Sequence, residues 1–302
     1  MDSGFYDFKE AKTHIQWAVD ERAKMPGNSE FLAAIAQCKQ WPSSVKVAEM
    51  GVPKAYRLIS QDEGVPEELV FRLHGVLIGK ELPPVERAMS KNTKAKHLRQ
   101  SVTIAGLGDE TFQEALQGLE VVESMFGRYV GTDKLQRHDL VRQFQQRPAM
   151  EIYNRYFTPA TVARRGDEPV LALGSEVDPK GFLAATAREE YVHTEENKWK
   201  RIKISPRVFQ HGDIVEVQLS LLAVTVNPKQ GTHRMVATLR AITLVDGSMT
   251  EKANRKSRLQ HIQGDVKASK LKRRYDGESD DDLQEGRNVK YKDDNVMNEE
   301  SG

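Results

Sequence analysis

The chain has 302 residues, 38% of them hydrophobic, which is enough apolar material for one large core or two smaller ones and argues against a wholly disordered protein. Lys and Arg number 45 against 44 Asp and Glu, so no whole-molecule field favours nucleic acid or an anionic membrane, and a charge-driven partner must be met by a local patch. One cysteine, Cys38, excludes an internal disulfide and a thiolate zinc site.

The opening Met1-Asp2-Ser3-Gly4-Phe5 lacks the basic start and apolar run of a secretory leader, and no stretch approaches the roughly 20 apolar residues that cross a bilayer. The expectation is a soluble intracellular protein with no membrane partner.

Residues 1–147 read as a helical domain. Residues 3–25 and 29–40 are short candidates, closed by Pro26-Gly27 and Trp41-Pro42, and Cys38 is expected in the core beside Phe31, Leu32 and Ile35. Pro66 at a first-turn position, followed by Leu69, Val70, Leu73, Val76 and Leu77, predicts another helix. Gly75 to Lys80 looks superficially like a phosphate loop but lacks its spacing and its Ser or Thr. Residues 80–96, with Pro83-Pro84 and a basic run, read as a surface connection. The clearest helix opens at Asp109 and carries Phe112, Leu116, Leu119, Val122, Met125, Phe126 and Tyr129 to a glycine stop at Gly131. A further helix is expected from Thr132 to Arg147-Pro148.

From Pro148 the pattern changes to short apolar runs broken by Gly and Pro, which predicts a small antiparallel β-rich domain over 148–250. Its centre is a hairpin over 213–246. Val215, Val217, Leu219, Leu221 and Ala223 alternate with Glu216, Gln218 and Ser220, which predicts one buried and one wet face. The return strand places Met235, Ala237, Leu239 and Val245 on one face, with Leu221 opposite Leu239 and Ser220 opposite Arg240. Leu222, Val224 and Val226 require cover on the second face, from the helical domain or from a second copy of the chain.

Residues 252–275 hold nine Lys or Arg against Asp265, and residues 276–302 hold ten acids against three bases. Such blocks bury too little to offset chain ordering, so 251–302 is expected to be a disordered basic-then-acidic tail. Lys267, Lys270, Lys272, Arg273 and Arg274 form a nuclear-import-like run for an import receptor and a salt-sensitive patch for nucleic acid. The nucleus is therefore the expected location, with the cytoplasm as alternative. Ser279-Asp280-Asp281-Asp282 has the form of an acid-directed phosphorylation site.

Aromatics interleaved with bases suit single-strand binding, and two clusters have that form: Tyr153, Tyr156 and Phe157 near Arg155, Arg164 and Arg165, and Trp199 among Lys198, Lys200, Arg201 and Lys203. Trp199, Arg201 and Arg240 are the candidate binding surface. His211-Gly212-Asp213 has the His-x-Asp form of two ligands in a non-haem iron site, with His233 or His261 as third ligand, although His233 lies across the hairpin turn. His193 beside Glu195 and Glu196 could join a metal or act as a base. Gly106-Leu107-Gly108-Asp109 could offer amides to an anion, a role that Asp109 itself can fill.

Three segments carry a resemblance: Glu189-Glu190-Tyr191-Val192-His193-Thr194-Glu195-Glu196-Asn197, Phe209-Gln210-His211-Gly212-Asp213-Ile214-Val215-Glu216-Val217-Gln218, and Leu239-Arg240-Ala241-Ile242-Thr243-Leu244-Val245-Asp246-Gly247. Together, over roughly 150–250, they resemble a module of hypothetical proteins of mushroom-forming fungi. The resemblance implies a fungal intracellular origin and carries over no functional residues.

The sequence thus predicts an α+β protein, with a helical N-terminal domain, a small antiparallel β-rich domain and a disordered charged tail. The expected function is a non-enzymatic nuclear protein that needs no cofactor and associates with nucleic acid, chromatin or protein partners. The alternatives are a metal-dependent enzyme on His211, Asp213 and His233, and a protein-interaction or self-association module built on the β domain.

Overall fold

A computed structural model describes residues 4–25, 30–38, 43–50, 54–61, 65–83, 98–137, 139–155, 157–159, 183–185, 190–194 and 201–268. In chain order the elements are α1 (Phe8–Ala23), β1 (Glu30–Phe31), α2 (Leu32–Ala36), β2 (Val45–Met50), β3 (Ala55–Ser60), β4 (Glu67–Glu68), β5 (Phe71–Glu81), β6 (Arg99–Ala105), α3 (Glu110–Val130), β7 (Leu135–Gln136), β8 (Val141–Phe144), β9 (Arg147–Arg155), β10 (Phe157–Pro159), β11 (Leu183–Ala185), β12 (Glu190–Thr194), β13 (Arg201–Lys203), β14 (Ile214–Asn227), β15 (Thr232–Asp246) and α4 (Ser248–Ala268). Residues 1–260 form one compact unit; of the second, 261–302, the described part is the end of α4. No described helix is long and apolar enough to cross a membrane.

Five strands close into a ring. β5 pairs with β6, β6 with β9, and β9 runs parallel to β15 at Tyr153–Thr238. β15 then pairs with β14, and β14 returns to β5. Counted along the chain, the order around the ring is first, second, third, fifth, fourth, a five-stranded Greek-key barrel. Leu73 and Leu77, Val102 and Ile104, Met150 and Ile152, Val217 and Leu219, and Ala237 and Leu239 fill its interior. The same core takes in Phe112, Leu119, Val122 and Phe126 of α3. The α3 helix begins where Asp109 accepts a hydrogen bond from the Phe112 amide at 3.0 Å and ends at Gly131, whose φ of 98° suits glycine.

The N-terminal half is therefore not a helical domain. Strands from both sides of residue 147 interleave in one mixed sheet, with β14 pairing β15 along one edge and β5 and then β3 along the other. The run expected as a helix from Pro66 is β5. Its inner residues Phe71, Leu73 and Leu77 enter the barrel, while Val76 on its outer face joins a second core with Ile15 of α1. Phe71-Arg72-Leu73-His74 alternates for only four residues before Val76, Leu77 and Ile78 follow in a row, and with Leu69 and Val70 these apolar positions also fit helical spacing. The helix expected over 132–147 is β7, β8 and the start of β9. Gln145 and Gln146, at φ 49° and 62°, make the two-residue turn between Phe144 and its partner Arg147.

The long hairpin is β14 with β15, but its register differs from the expected one. Leu219 faces Leu239, Leu221 faces Ala237 and Ser220 faces Thr238. Gln218 faces Ala241, which leaves Arg240 as the extra residue of a bulge. The bulge reverses the inward parity, so Ile242 enters the barrel and Val245 packs in the second core instead. Nor is the polar face wet: Glu216, Gln218 and Ser220 are buried. The α1 helix covers the Glu216 end of this side with Ala11, Ile15, Ala18 and Arg22 on one stripe, where Arg22 Nε reaches Glu216 at 3.1 Å, while Ser220 lies under the Arg240 side chain.

Residues 251–268, expected to be disordered, belong to α4. The Ser248 amide donates to Asp246 Oδ1 at 2.7 Å, and Met249 and Ala253 are buried against the core that holds Tyr6 and Ile15. The remainder of the expected tail, 269–302, lies outside the described residues.

Candidate nucleic-acid interface

Among the described residues, the outside of the barrel is covered unevenly. Around Val76, Ala105, Ala149 and Ile214 it is closed by α1 and the first turns of α4. Beneath α1 lies a buried polar cluster, in which His74 Nε2 stands 3.5 Å from Glu216 and Arg72 lies over the Phe31 ring at 5.1 Å. Burial holds the His74 imidazole neutral, with its pKa down to about 4.

Away from that cover, the outer faces of β6, β9 and β15 carry two rows of side chains. One row joins Ser101, Tyr153 and Thr238, because Tyr153 pairs with Ser101 on one side and Thr238 on the other, and Ser220 continues it opposite Thr238. The next row is cationic. Arg99 pairs with Arg155, and Arg155 and Arg240 each stand two residues beyond the paired Tyr153 and Thr238 on parallel strands. The Arg99 guanidinium lies over the Tyr153 ring at 4.8 Å and binds Glu151 at 2.7 Å. Arg142 of β8 reaches the other oxygen of Glu151 at 2.5 Å, so one carboxylate is shared by two arginines. Behind Tyr153, Val236, Leu222 and Ala55 form a small apolar base.

Arg240 is fixed more tightly than its neighbours. Its Nε donates to Ser220 Oγ at 3.0 Å, and its Nη2 meets Glu68 Oε2 at 2.6 Å. The other oxygen of Glu68 takes Arg57 Nη1 at 2.5 Å.

Of the residues expected from sequence, Arg240 belongs to this face. Arg201 opens β13 opposite Thr194, its side chain outside the described set, and Trp199 is likewise outside. Lys267 lies on the backbone of α4, while Lys270, Lys272, Arg273 and Arg274 fall outside the described residues. The metal alternative is not assembled. Asp213 stands at the start of β14, where it accepts from the Gln210 amide at 2.7 Å, and burial pushes its carboxyl up and the neighbouring His211 down. His233 pairs with Thr225 at the far end of the hairpin and packs edge-on to Tyr56, with ring centres 5.1 Å apart. Among the described residues no group of three or more His, Cys, Asp or Glu side chains is placed to hold a metal. Arg99, Ser101, Arg142, Arg57 and Glu68 were not singled out by the sequence. They reach the face only through sheet pairing, while Tyr153 and Arg155, two residues apart, carry their signal in the chain itself.

No family model matches the chain, and no curated protein does. Among solved structures it is similar to gp2.5, a single-stranded DNA binding protein encoded by bacteriophage T7, with 12% identity and a TM-score of 0.33 over 59% of this chain and 86% of that one. It is also similar to the single-stranded DNA-binding protein of bacteriophage Enc34 in complex with single-stranded DNA, at 8% identity and a TM-score of 0.33 over 67% and 96% of the two chains. These likenesses are loose, and the chemistry of the face rests on its own residues.

Proposed function

We propose that the chain binds single-stranded nucleic acid on the outer face of β6, β9 and β15. The observation that carries this reading is the pairing of the two rows: a half-exposed Tyr153 with Arg99 stacked on it, flanked by hydroxyls, lies directly beside Arg99, Arg155 and Arg240. Bases splayed from a single strand stack on aromatic rings and guanidinium planes, and the phosphates between them need cations one strand spacing away. In a barrel of this strand order, the second- and third-strand face is the one that meets oligonucleotides, and here β6 and β9 hold those places. Fold alone assigns no activity, so the argument stands on the side chains.

Fluorescence anisotropy with a labelled single-stranded oligonucleotide tests it. Binding should weaken as salt rises and fall sharply in Tyr153→Ala and Arg155→Ala, while a duplex of the same sequence binds less well. Equal affinity of the wild type and a folded Tyr153→Ala/Arg155→Ala double variant would place binding elsewhere.

A further inference from the structure

We propose that Arg57 and Arg240, the latter held in place by the buried Ser220, form a phosphate-binding site at the edge of this face, occupied by the carboxylate of Glu68, which a phosphodiester of the bound strand displaces. The inference rests on the single-strand reading above and adds a built-in competitor to it. Glu68 offers one oxygen to each guanidinium, at 2.5 Å from Arg57 Nη1 and 2.6 Å from Arg240 Nη2. Two oxygens of a phosphodiester satisfy the same pair of donors, since guanidinium groups match carboxylate and phosphate alike.

Both arginines keep their aim without Glu68. Arg240 projects from the β15 bulge and is held by Ser220 Oγ at 3.0 Å, and Arg57 Nε donates to the Met50 carbonyl at 3.3 Å. Donors positioned by other contacts are ready for a replacement anion. Apart from the two arginines, the described contacts of Glu68 are those of its backbone: it pairs with Ile59, and the next amide, Leu69, donates to Leu58 O at 2.9 Å. Its side chain, 25% exposed, can swing to water while β4 stays in place. Two cations against one carboxylate leave a positive excess with Glu68 in place, and a larger one when it swings out. Position completes the argument, because Arg240 ends the cationic row that Arg99 and Arg155 begin, and Ser220 ends the hydroxyl row.

The test is oligonucleotide binding by Glu68→Gln across a salt series. Glu68→Gln should tighten binding by about three- to tenfold. It should also steepen the log–log salt slope, because the two guanidinium groups then meet the phosphate with no resident carboxylate to release. Adding Arg57→Ala and Arg240→Ala should erase both gains. A folded Glu68→Gln protein with unchanged or weaker affinity would overturn the proposal and leave the single-strand reading standing. Should Glu68→Gln fail to fold, Arg240→Gln in the otherwise native chain serves: a shallower slope supports the site, and an unchanged slope ends it. If neither wild type nor Glu68→Gln binds the oligonucleotide, the single-strand reading falls. The site is then judged by inorganic phosphate, which must raise the melting temperature of Glu68→Gln above its value in chloride at equal ionic strength and must raise that of the wild type less.

Discussion

The guanidinium of Arg99 lies 4.8 Å from the ring centre of Tyr153, although a 21-residue helix and the two short strands β7 and β8 separate the two in the chain. The contact follows from the antiparallel register of β6 and β9, and it leaves the tyrosine braced from the Arg99 side and from below by Val236 and Leu222. A base stacking on such a preset surface gives about 1–3 kcal/mol, so Tyr153→Ala should weaken oligonucleotide binding by roughly 5- to 150-fold. Tyr153→Phe retains the π face and should bind nearly as the wild type does. Thermal melts of both variants separate lost stacking from lost packing.

A second expectation concerns the clamp beneath α1. Arg22 and Glu216 are both buried and lie 3.1 Å apart, with His74 Nε2 3.5 Å from the same carboxylate. Removing one member of a buried ion pair leaves the other desolvated, and Glu216→Ala should lower stability by about 3–5 kcal/mol in denaturant unfolding. Lys252→Ala, which breaks the exposed pair with Glu10, should change little.

The pH dependence follows from His74. Burial lowers its folded-state pKa to about 4 from 6.5, so between those values the unfolded chain binds the extra proton. Stability is then complete above about pH 6.5 and lost as pH falls towards 4, by about 3 kcal/mol in full. Asp109 and Asp213, whose carboxyls burial pushes up, act in the opposite sense. Denaturant unfolding between these pH values should show the decline in wild type and a flatter profile in His74→Gln; parallel profiles would remove His74 as the cause.

What the chain discloses about itself depends on which faces are covered. The α3 helix is legible because its inner stripe and outer residues differ and because Asp109 and Gly131 mark its ends. Val215 to Leu221 is legible as a strand for the matching reason: its even positions Glu216, Gln218 and Ser220 are polar, whether or not water reaches them. The strand clue is short in β5, where only Arg72 and His74 alternate with Phe71 and Leu73 before the continuous apolar run Val76, Leu77 and Ile78. A turn built from Gln145-Gln146 hides β8 and β9 from a search for Asn-Gly or Asp-Gly. The candidate interface was half visible. Tyr153 and Arg155 are neighbours in sequence, but Arg99, Arg57 and Glu68 arrive by pairing, and the bulge that aims Arg240 cannot be counted from alternation.

The basic run beyond α4 yields an expectation from sequence alone. A cluster such as Lys270, Lys272, Arg273 and Arg274 suits an acidic import receptor, and replacing Lys272, Arg273 and Arg274 with alanine should shift a tagged protein from nucleus to cytoplasm. Unchanged nuclear accumulation would remove that role. Oligonucleotide binding by the same variant should keep its Tyr153 dependence, because the face of β6, β9 and β15 is built from other residues.

A last expectation runs against helix propensity. Gly118 lies inside α3, where alanine is intrinsically favoured by about 1 kcal/mol. A Cβ there would fall 2.4 Å from the carbonyl oxygen of Leu32, a backbone atom at the start of α2. The two helices could accommodate it only by moving apart, and both contribute to the core around Phe71 and Leu73, through Leu32, Ile35, Ala115 and Leu119. Overpacking of this kind outweighs the propensity gain, so Gly118→Ala should destabilise the protein by about 1–3 kcal/mol. Gln117→Ala, one residue away on the exposed side of α3, should stay within about 0.5 kcal/mol of wild type. Equal unfolding midpoints for Gly118→Ala and Gln117→Ala would mean that α2 and α3 do not approach as closely as this packing requires.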